Sequence, residues 1–255
     1  EEIQWPGRAL GARGIVPHYG ILKGIENIPQ PKQLDIMPYL LGGQTRNGTT
    51  EKTTNYGLDA QYTLSSTSTM NLTFNPDFGQ VEADPSVLNL SAFETRLSER
   101  RPFFVEGAAF FKSRLNLFHS RRVGQSPSYY YPEKGSIVDQ PDATTILGAT
   151  KILGETASGL KYGVIEAVTN REYGTWEYDE NGKTVRDQFM IEPYTNYFIG
   201  RVEQPIINDV STVGFMATDL RRQGGDPTSA FNMDWRMKFK DNKLFFNGQV
   251  AHSRA

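Results

Sequence analysis

The densest chemistry in the sequence lies in residues 75–106, which read NPDFGQVEADPSVLNLSAFETRLSERRPFFVE. Asp77, Glu82, Asp84, Glu94, Glu99 and Glu106 stand there with Arg96, Arg100 and Arg101, and Arg121 and Arg122 follow further on. Three kinds of chemistry fit these residue types. Carboxylates and guanidinium groups can pair into a network, which offsets their desolvation only when the remaining hydrogen bonds are made as well. Two carboxylates flanking a glycosidic bond can hydrolyse it, and Asp77, Glu82, Asp84, Glu94 and Glu99 are the candidates for that acid and base work. Asp77, Glu82 and Asp84 also carry the hard oxygen ligands that Ca2+ prefers, although their spacing does not match an EF-hand loop. The network is the favoured reading, because spacing along a chain fixes no distance between carboxylates and any acidic loop would supply as many.

Other catalytic signatures are missing. His18, His119 and His252 are isolated, with no HExxH pair, no GxSxG elbow and no Walker loop. The chain has no cysteine, which removes disulfides, thiolate catalysis and zinc–thiolate sites together. The reading leans away from an enzyme and implies no cofactor. A net charge of −2 without a basic block excludes nucleic acid as a partner. Ser120-Arg121-Arg122-Val123-Gly124 is too small a basic spot to imply an anionic ligand. Tyr129-Tyr130-Tyr131 could stack on a sugar, but an interfacial girdle or ordinary loop packing is preferred.

The elements that would position these groups are strands. From Phe231 to Lys240, Phe231, Met233, Trp235, Met237 and Phe239 alternate with Asn232, Asp234, Arg236, Lys238 and Lys240. A strand separates two such sets onto opposite faces, whereas a helix would scatter them. Tyr56–Leu64 and Met70–Phe74 repeat the pattern, and further strands are expected at Gln33–Leu41, Thr144–Leu153, Leu160–Thr169, Tyr194–Gln204, Thr212–Leu220 and Leu244–Ser253. No stretch approaches the roughly 18 apolar residues of a membrane helix.

The connections alternate in length. Ser65–Ser68, Gly154–Gly159, Pro205–Ser211 and Asp241–Lys243 are short turns. Gly42–Asn55, Asn170–Ile191 and Arg221–Ser229 are longer loops, and 76–143 is a very long excursion. This rhythm belongs to outer-membrane barrels, where short periplasmic turns alternate with long extracellular loops and only every second strand residue meets lipid. A soluble sandwich also gives alternating strands, but it explains neither the rhythm nor faces as apolar as Phe231–Phe239. Leu115–Arg121 would break the rhythm as a strand and is placed inside the excursion. The expectation is an all-β, antiparallel transmembrane β-barrel. Segment Pro76–Arg114 would fold into the lumen as a plug and pair with residues such as Asp59, Gln61 and Arg236. Nine strands is an odd number, the chain opens on Glu1-Glu2-Ile3-Gln4-Trp5 without a signal peptide, and it stops at Ala255 directly after a strand. The expectation is therefore the N-terminal part of a longer barrel (31–255) behind a linker or tail (1–30).

The blocks Asn75–Pro85, Asn89-Leu90, Phe93-Glu94, Arg100–Gly107 and Ser120–Gly124, in that order, resemble a family of bacterial outer-membrane proteins. Its barrel carries a domain of unknown function, and it usually follows a periplasmic domain similar to carbohydrate-binding module family 9. Gly20–Ile25 and Pro38-Tyr39 resemble the same family where its barrel begins. The resemblance implies a bacterial outer-membrane protein in contact with lipid, with carbohydrate as a partner of the N-terminal module and other envelope proteins as further partners. Members of that family are often described as carbohydrate-binding or as membrane-associated hydrolases; the expected function of this chain is transport or envelope and surface assembly. A cell-surface glycan-binding or glycan-hydrolysing protein using the acidic loop 77–106 is the alternative. The family supplies no catalytic residues to carry over.

Overall fold

The computed structural model describes residues 33–47, 49–76, 98–113, 115–208, 210–240 and 243–254. The tail 1–30 and the acidic segment 77–97 lie outside the described residues. Twelve strands form two antiparallel sheets. In chain order they are β1 (Leu34–Asn47), β2 (Thr49–Ser65), β3 (Ser68–Phe74), β4 (Ser136–Asp139), β5 (Ile146–Glu155) and β6 (Lys161–Thr169), then β7 (Glu172–Glu180), β8 (Lys183–Glu192), β9 (Thr195–Pro205), β10 (Thr212–Arg222), β11 (Thr228–Phe239) and β12 (Leu244–Arg254).

The main sheet has nine strands in the order β1-β2-β3-β5-β6-β9-β10-β11-β12, and β4-β7-β8 form a second sheet of three. The main sheet is a meander: every strand lies beside its predecessor once β4 and the β7–β8 hairpin are set aside. Its nine strands are those that alternation of apolar and polar residues predicts. Among the described residues β1 and β12 are each paired along one edge only, so the sheet does not close on itself.

Period-two alternation gives the sheet two unlike faces. The register aligns Tyr162, Val202, Phe215, Met233 and Val250 across five strands. One residue further along, it aligns Gly163, Arg201, Met216, Asn232 and Ala251. The first row continues into Phe198, Phe231 and Phe246 and is largely exposed, with Phe215 50% accessible. Gly163, Arg201 and Met216 of the second row face the excursion 98–123, and Met216 beneath it is 2% accessible, whereas Ala251 at the row's end is exposed. There Ala149, Ile165, Ala167, Ile199 and Met216 from the strands pack with Phe104, Phe111 and Val123 from the excursion. The core of the described chain is this contact between one sheet face and an irregular segment.

Among the described residues helical structure is limited to one turn, α1 (Pro102–Val105), and a 3-10 turn at Ser120–Arg122. Leu115–Arg121 joins neither sheet. Two expected loops are corrected. Gly42–Asn55 is not a loop, because β1 and β2 pair without a break from Leu34↔Tyr62 to Asn47↔Thr49. Asn170–Ile191 is a hairpin, β7 with β8, which also captures β4 from the excursion. Thr is frequent in Gly42–Asn55, and Tyr, Trp, Val and Phe occur in Asn170–Ile191; all are residue types that favour strands.

Candidate functional site

The charged residues singled out in the sequence collect where the excursion meets the sheet. Their placement begins with Pro102. A proline disfavours helical backbone in the residue before it and suits the first helical position. Arg101 is accordingly extended (φ −71°, ψ 121°), and α1 starts at Pro102. The Arg101 carbonyl accepts the Phe104 and Val105 N–H groups at 3.0 Å each, which closes the turn. It also directs the Arg101 side chain back under the segment, where it is buried.

There the guanidinium donates to both Glu99 oxygens, Nε to Oε1 at 2.8 Å and Nη2 to Oε2 at 2.7 Å. Nη1 donates to the Val123 carbonyl and Nη2 to the Ser120 carbonyl, both at 2.6 Å. The Phe104 ring lies 4.4 Å from the guanidinium carbon. Glu99 Oε1 further accepts the Arg100 and Arg101 N–H groups at 3.0 Å, and Oε2 accepts the Ser120 hydroxyl at 2.6 Å. Burial alone would push the Glu99 carboxyl up, but the hydrogen bonds and charge of Arg101, together with Ser120, outweigh it and hold the group below its ordinary value. A carboxylate with both oxygens occupied and a lowered pKa is a poor proton donor. Glycosidase acids need the opposite shift. Glu99 is thus a structural anion that joins the two ends of the excursion's packed part.

A second cation fastens α1 to the sheet. Lys151 on β5 is 1% accessible, and its Nζ donates to the Phe103 carbonyl at 2.6 Å and the Glu106 carbonyl at 2.8 Å. It also lies 3.3 Å from Glu106 Oε2, which accepts the Asn71 side-chain amide of β3 as well. The end of a short helix presents unpaired carbonyls, and Lys151 takes them up. A third cation, Arg201 on β9, grips Asp234 of β11 through two hydrogen bonds of 2.8 and 3.0 Å and approaches Glu203 at 3.4 Å. Its guanidinium carbon sits 5.9 Å from the Phe110 ring. The excursion therefore rests on a polar face whose charges are paired within the sheet or with the excursion itself.

Of the sequence candidates, the structure brings together Glu99 with Arg101, and Glu106 with the sheet. Arg100 is exposed beside this pair, and Arg121 and Arg122 form the 3-10 turn, where the Arg122 carbonyl accepts the Tyr197 hydroxyl at 3.4 Å. Asp77, Glu82, Asp84, Glu94 and Arg96 lie outside the described residues. Among the described residues no group of three or more His, Asp or Glu side chains is placed to hold a metal ion. Sequence reasoning missed Lys151, Arg201, Asn71 and Ser120. Lys151 and Arg201 stand singly among apolar neighbours on their strand faces (Ala149 and Leu153, Tyr197 and Ile199), and a lone long cation in such a pattern is easily passed over. A usable signal was their place on the same face as the small residues Ala149, Gly163 and Gly214, which leave room for a covering segment.

Comparison with known proteins adds the family. The family described as "Domain of unknown function (DUF5916)" matches the chain over residues 30–255. No curated protein and no solved structure matches it.

Proposed function

The chain belongs to the DUF5916 family, and from its two-faced sheet we propose that it forms the wall of a β-barrel in a bacterial outer membrane, with the excursion 76–143 as a plug in the lumen. The supporting observation is the row Val202–Phe215–Met233–Val250: neighbouring apolar side chains, all exposed, under no other described element. A soluble antiparallel sheet turns its apolar face to the core and its polar face to water. Here a row of large apolar side chains is left open, while the covered face combines apolar residues with buried Lys151, Arg201 and Asn232, an arrangement that fits a barrel wall between lipid and a polar, plugged lumen. The β1–β2 tip, the excursion, the β7–β8 hairpin and the β10–β11 turn lie at one end of the strands. The short turns after β2, β5, β9 and β11 lie at the other. In a barrel these ends are the extracellular and periplasmic rims.

Membrane lipid is then the partner of the outer face, and transport or envelope assembly is the role. The glycan-hydrolysing alternative loses Glu99, whose oxygens are committed to Arg101 and Ser120. The test is membrane assembly. The whole protein, unfolded in urea and diluted into phospholipid vesicles, should gain strand structure, resist protease and migrate anomalously on gels until boiled. Folding in buffer to a monodisperse species that ignores vesicles would reject the proposal.

A further inference from the structure

The tyrosine triplet divides in the fold. Tyr129 and Tyr130 are anchors. Their N–H groups donate to the Ile191 carbonyl at 3.2 and 2.9 Å, and the Ser128 and Tyr129 N–H groups reach Glu192 Oε2 at 3.1 and 3.2 Å. Their rings meet edge to face at 4.6 Å, and the Arg222 guanidinium covers Tyr129 at 4.7 Å. Tyr131, the next residue, is turned out and is 67% accessible. It lines an open hollow of about 520 Å3 together with Pro132, Gly135, Ser136, Ile137, Val138, Asp139 and Gln140.

We propose that this hollow is a binding subsite for a neutral sugar ring, with Tyr131 as the stacking platform and Ser136, Asp139 and Gln140 as its hydrogen-bonding partners. The volume lies within the roughly 300–1,000 Å3 of small-molecule sites. The lining has one carboxylate and no Lys, Arg or His, so it disfavours phosphate or carboxylate ligands. An exposed flat ring beside a hydroxyl, an amide and a carboxylate complements a molecule with an apolar C–H face and a rim of hydroxyls. A pyranose has that form.

The hollow is also preorganised, which lowers the cost of binding. One flank is tied to β8 through Tyr129 and Tyr130. The other is β4, paired with β7. The bend between them closes at Gly135 (φ +82°), where a Cβ would stand 2.1 Å from the Glu177 carbonyl oxygen and 2.7 Å from the Trp176 indole nitrogen. That indole donates to the Lys134 carbonyl and stacks on Tyr178 at 4.2 Å. A β-bulge at Val138 re-aims the strand before Asp139.

The site does not depend on the membrane proposal, since the three-stranded sheet could present it in any setting. The test is titration of the whole protein, in detergent where it needs one, with maltotriose, cellotriose and chitotriose, followed by calorimetry and saturation-transfer NMR. At least one sugar should bind. Tyr131→Ala should weaken it by about tenfold, the loss of one stacking contact, while Tyr131→Phe keeps most of the affinity. Asp139→Asn and Gln140→Ala should each weaken it less. Tyr131 is too exposed for its replacement to unfold the protein, and an unchanged circular dichroism spectrum checks this. No binding of any of the three sugars, or binding that Tyr131→Ala leaves intact, overturns the assignment.

Discussion

Phe215 and Met216 are neighbours on one strand and meet opposite fates. Phe215, flanked by Val202 and Met233, has no described element over it. Met216, flanked by Arg201 and Asn232, is sealed beneath the excursion. One side of the sheet leaves large apolar side chains open, while the covered side mixes the apolar core with buried Lys151 and Arg201; exposed apolar area of this extent is not what water alone would select. The covered side relies on ions as much as on apolar contact: Arg101 and Lys151 hold the excursion, and Arg201 is neutralised beneath it by Asp234. The open side is apolar along the row Val202–Phe215–Met233–Val250 and turns polar toward one end of the strands, where Glu166, Asn196, Asp219 and Arg221 stand.

Substitutions on the two faces should therefore fail in different ways. The largest effect is expected at Arg101. Replacing it by Ala removes the counter-charge of the half-buried Glu99, leaving it only the backbone N–H groups and the Ser120 hydroxyl, and takes the guanidinium donor from the Ser120 and Val123 carbonyls; breaking a buried pair costs up to about 3–5 kcal/mol. Hydrogen exchange should rise across 98–123 and stay low in β9–β11. Next comes the open face: Met233→Arg should destabilise the protein in bilayers by about 2–4 kcal/mol if it lies near mid-membrane, measured by denaturant titration in vesicles. Ala251→Arg, on the opposite face of the neighbouring strand and exposed there, should change little. Equal penalties at both positions would erase the distinction between the faces.

Acid gives a smaller effect confined to the covered face. Because the Glu99 pKa is lowered by folding, its contribution is complete above the ordinary carboxylate value. It is lost as pH falls from there through the lowered, folded-state value. Protease susceptibility of the excursion should rise over that acidic window, and Glu99→Gln should flatten the dependence by removing the contribution at every pH. The smallest effect is expected at Glu106. Its side chain is 51% accessible, and Lys151 retains two carbonyl partners without it. Glu106→Gln should thus cost less than about 1 kcal/mol.

The strands of the main sheet were legible because lipid-type and core-type faces both impose period two, and β11 carries the pattern over its whole length. The β1–β2 tip was not, because Gly42–Asn55 contains no apolar residue to alternate; the β7–β8 hairpin was not, because its short alternating face of Trp176, Tyr178, Val185 and Phe189 is interleaved with dense charge that reads as loop. Within the covered seam, Glu99, Arg101 and Glu106 stood out by local density. Lys151 and Arg201 did not, because a single cation within a strand carries no mark of what will lie over it. Tyr131 was visible only as one of three like residues. Which of them is displayed depends on contacts of Tyr129 and Tyr130 with β8, some sixty residues away in sequence.

The two faces can be read one residue at a time, because the chain has no cysteine and a single introduced thiol is unique. Spin labels placed singly at positions 231 to 239 of the whole protein, reconstituted in phospholipid vesicles, would report access to oxygen from the lipid and to a nickel chelate from water. The expected profile has period two, with oxygen favoured at 231, 233, 235, 237 and 239 and low access to oxygen at 232, 234 and 236. A profile in which the nickel chelate reaches 231, 233 and 235 as freely as it reaches an exposed loop would mean that water, and not lipid, lies against the open face.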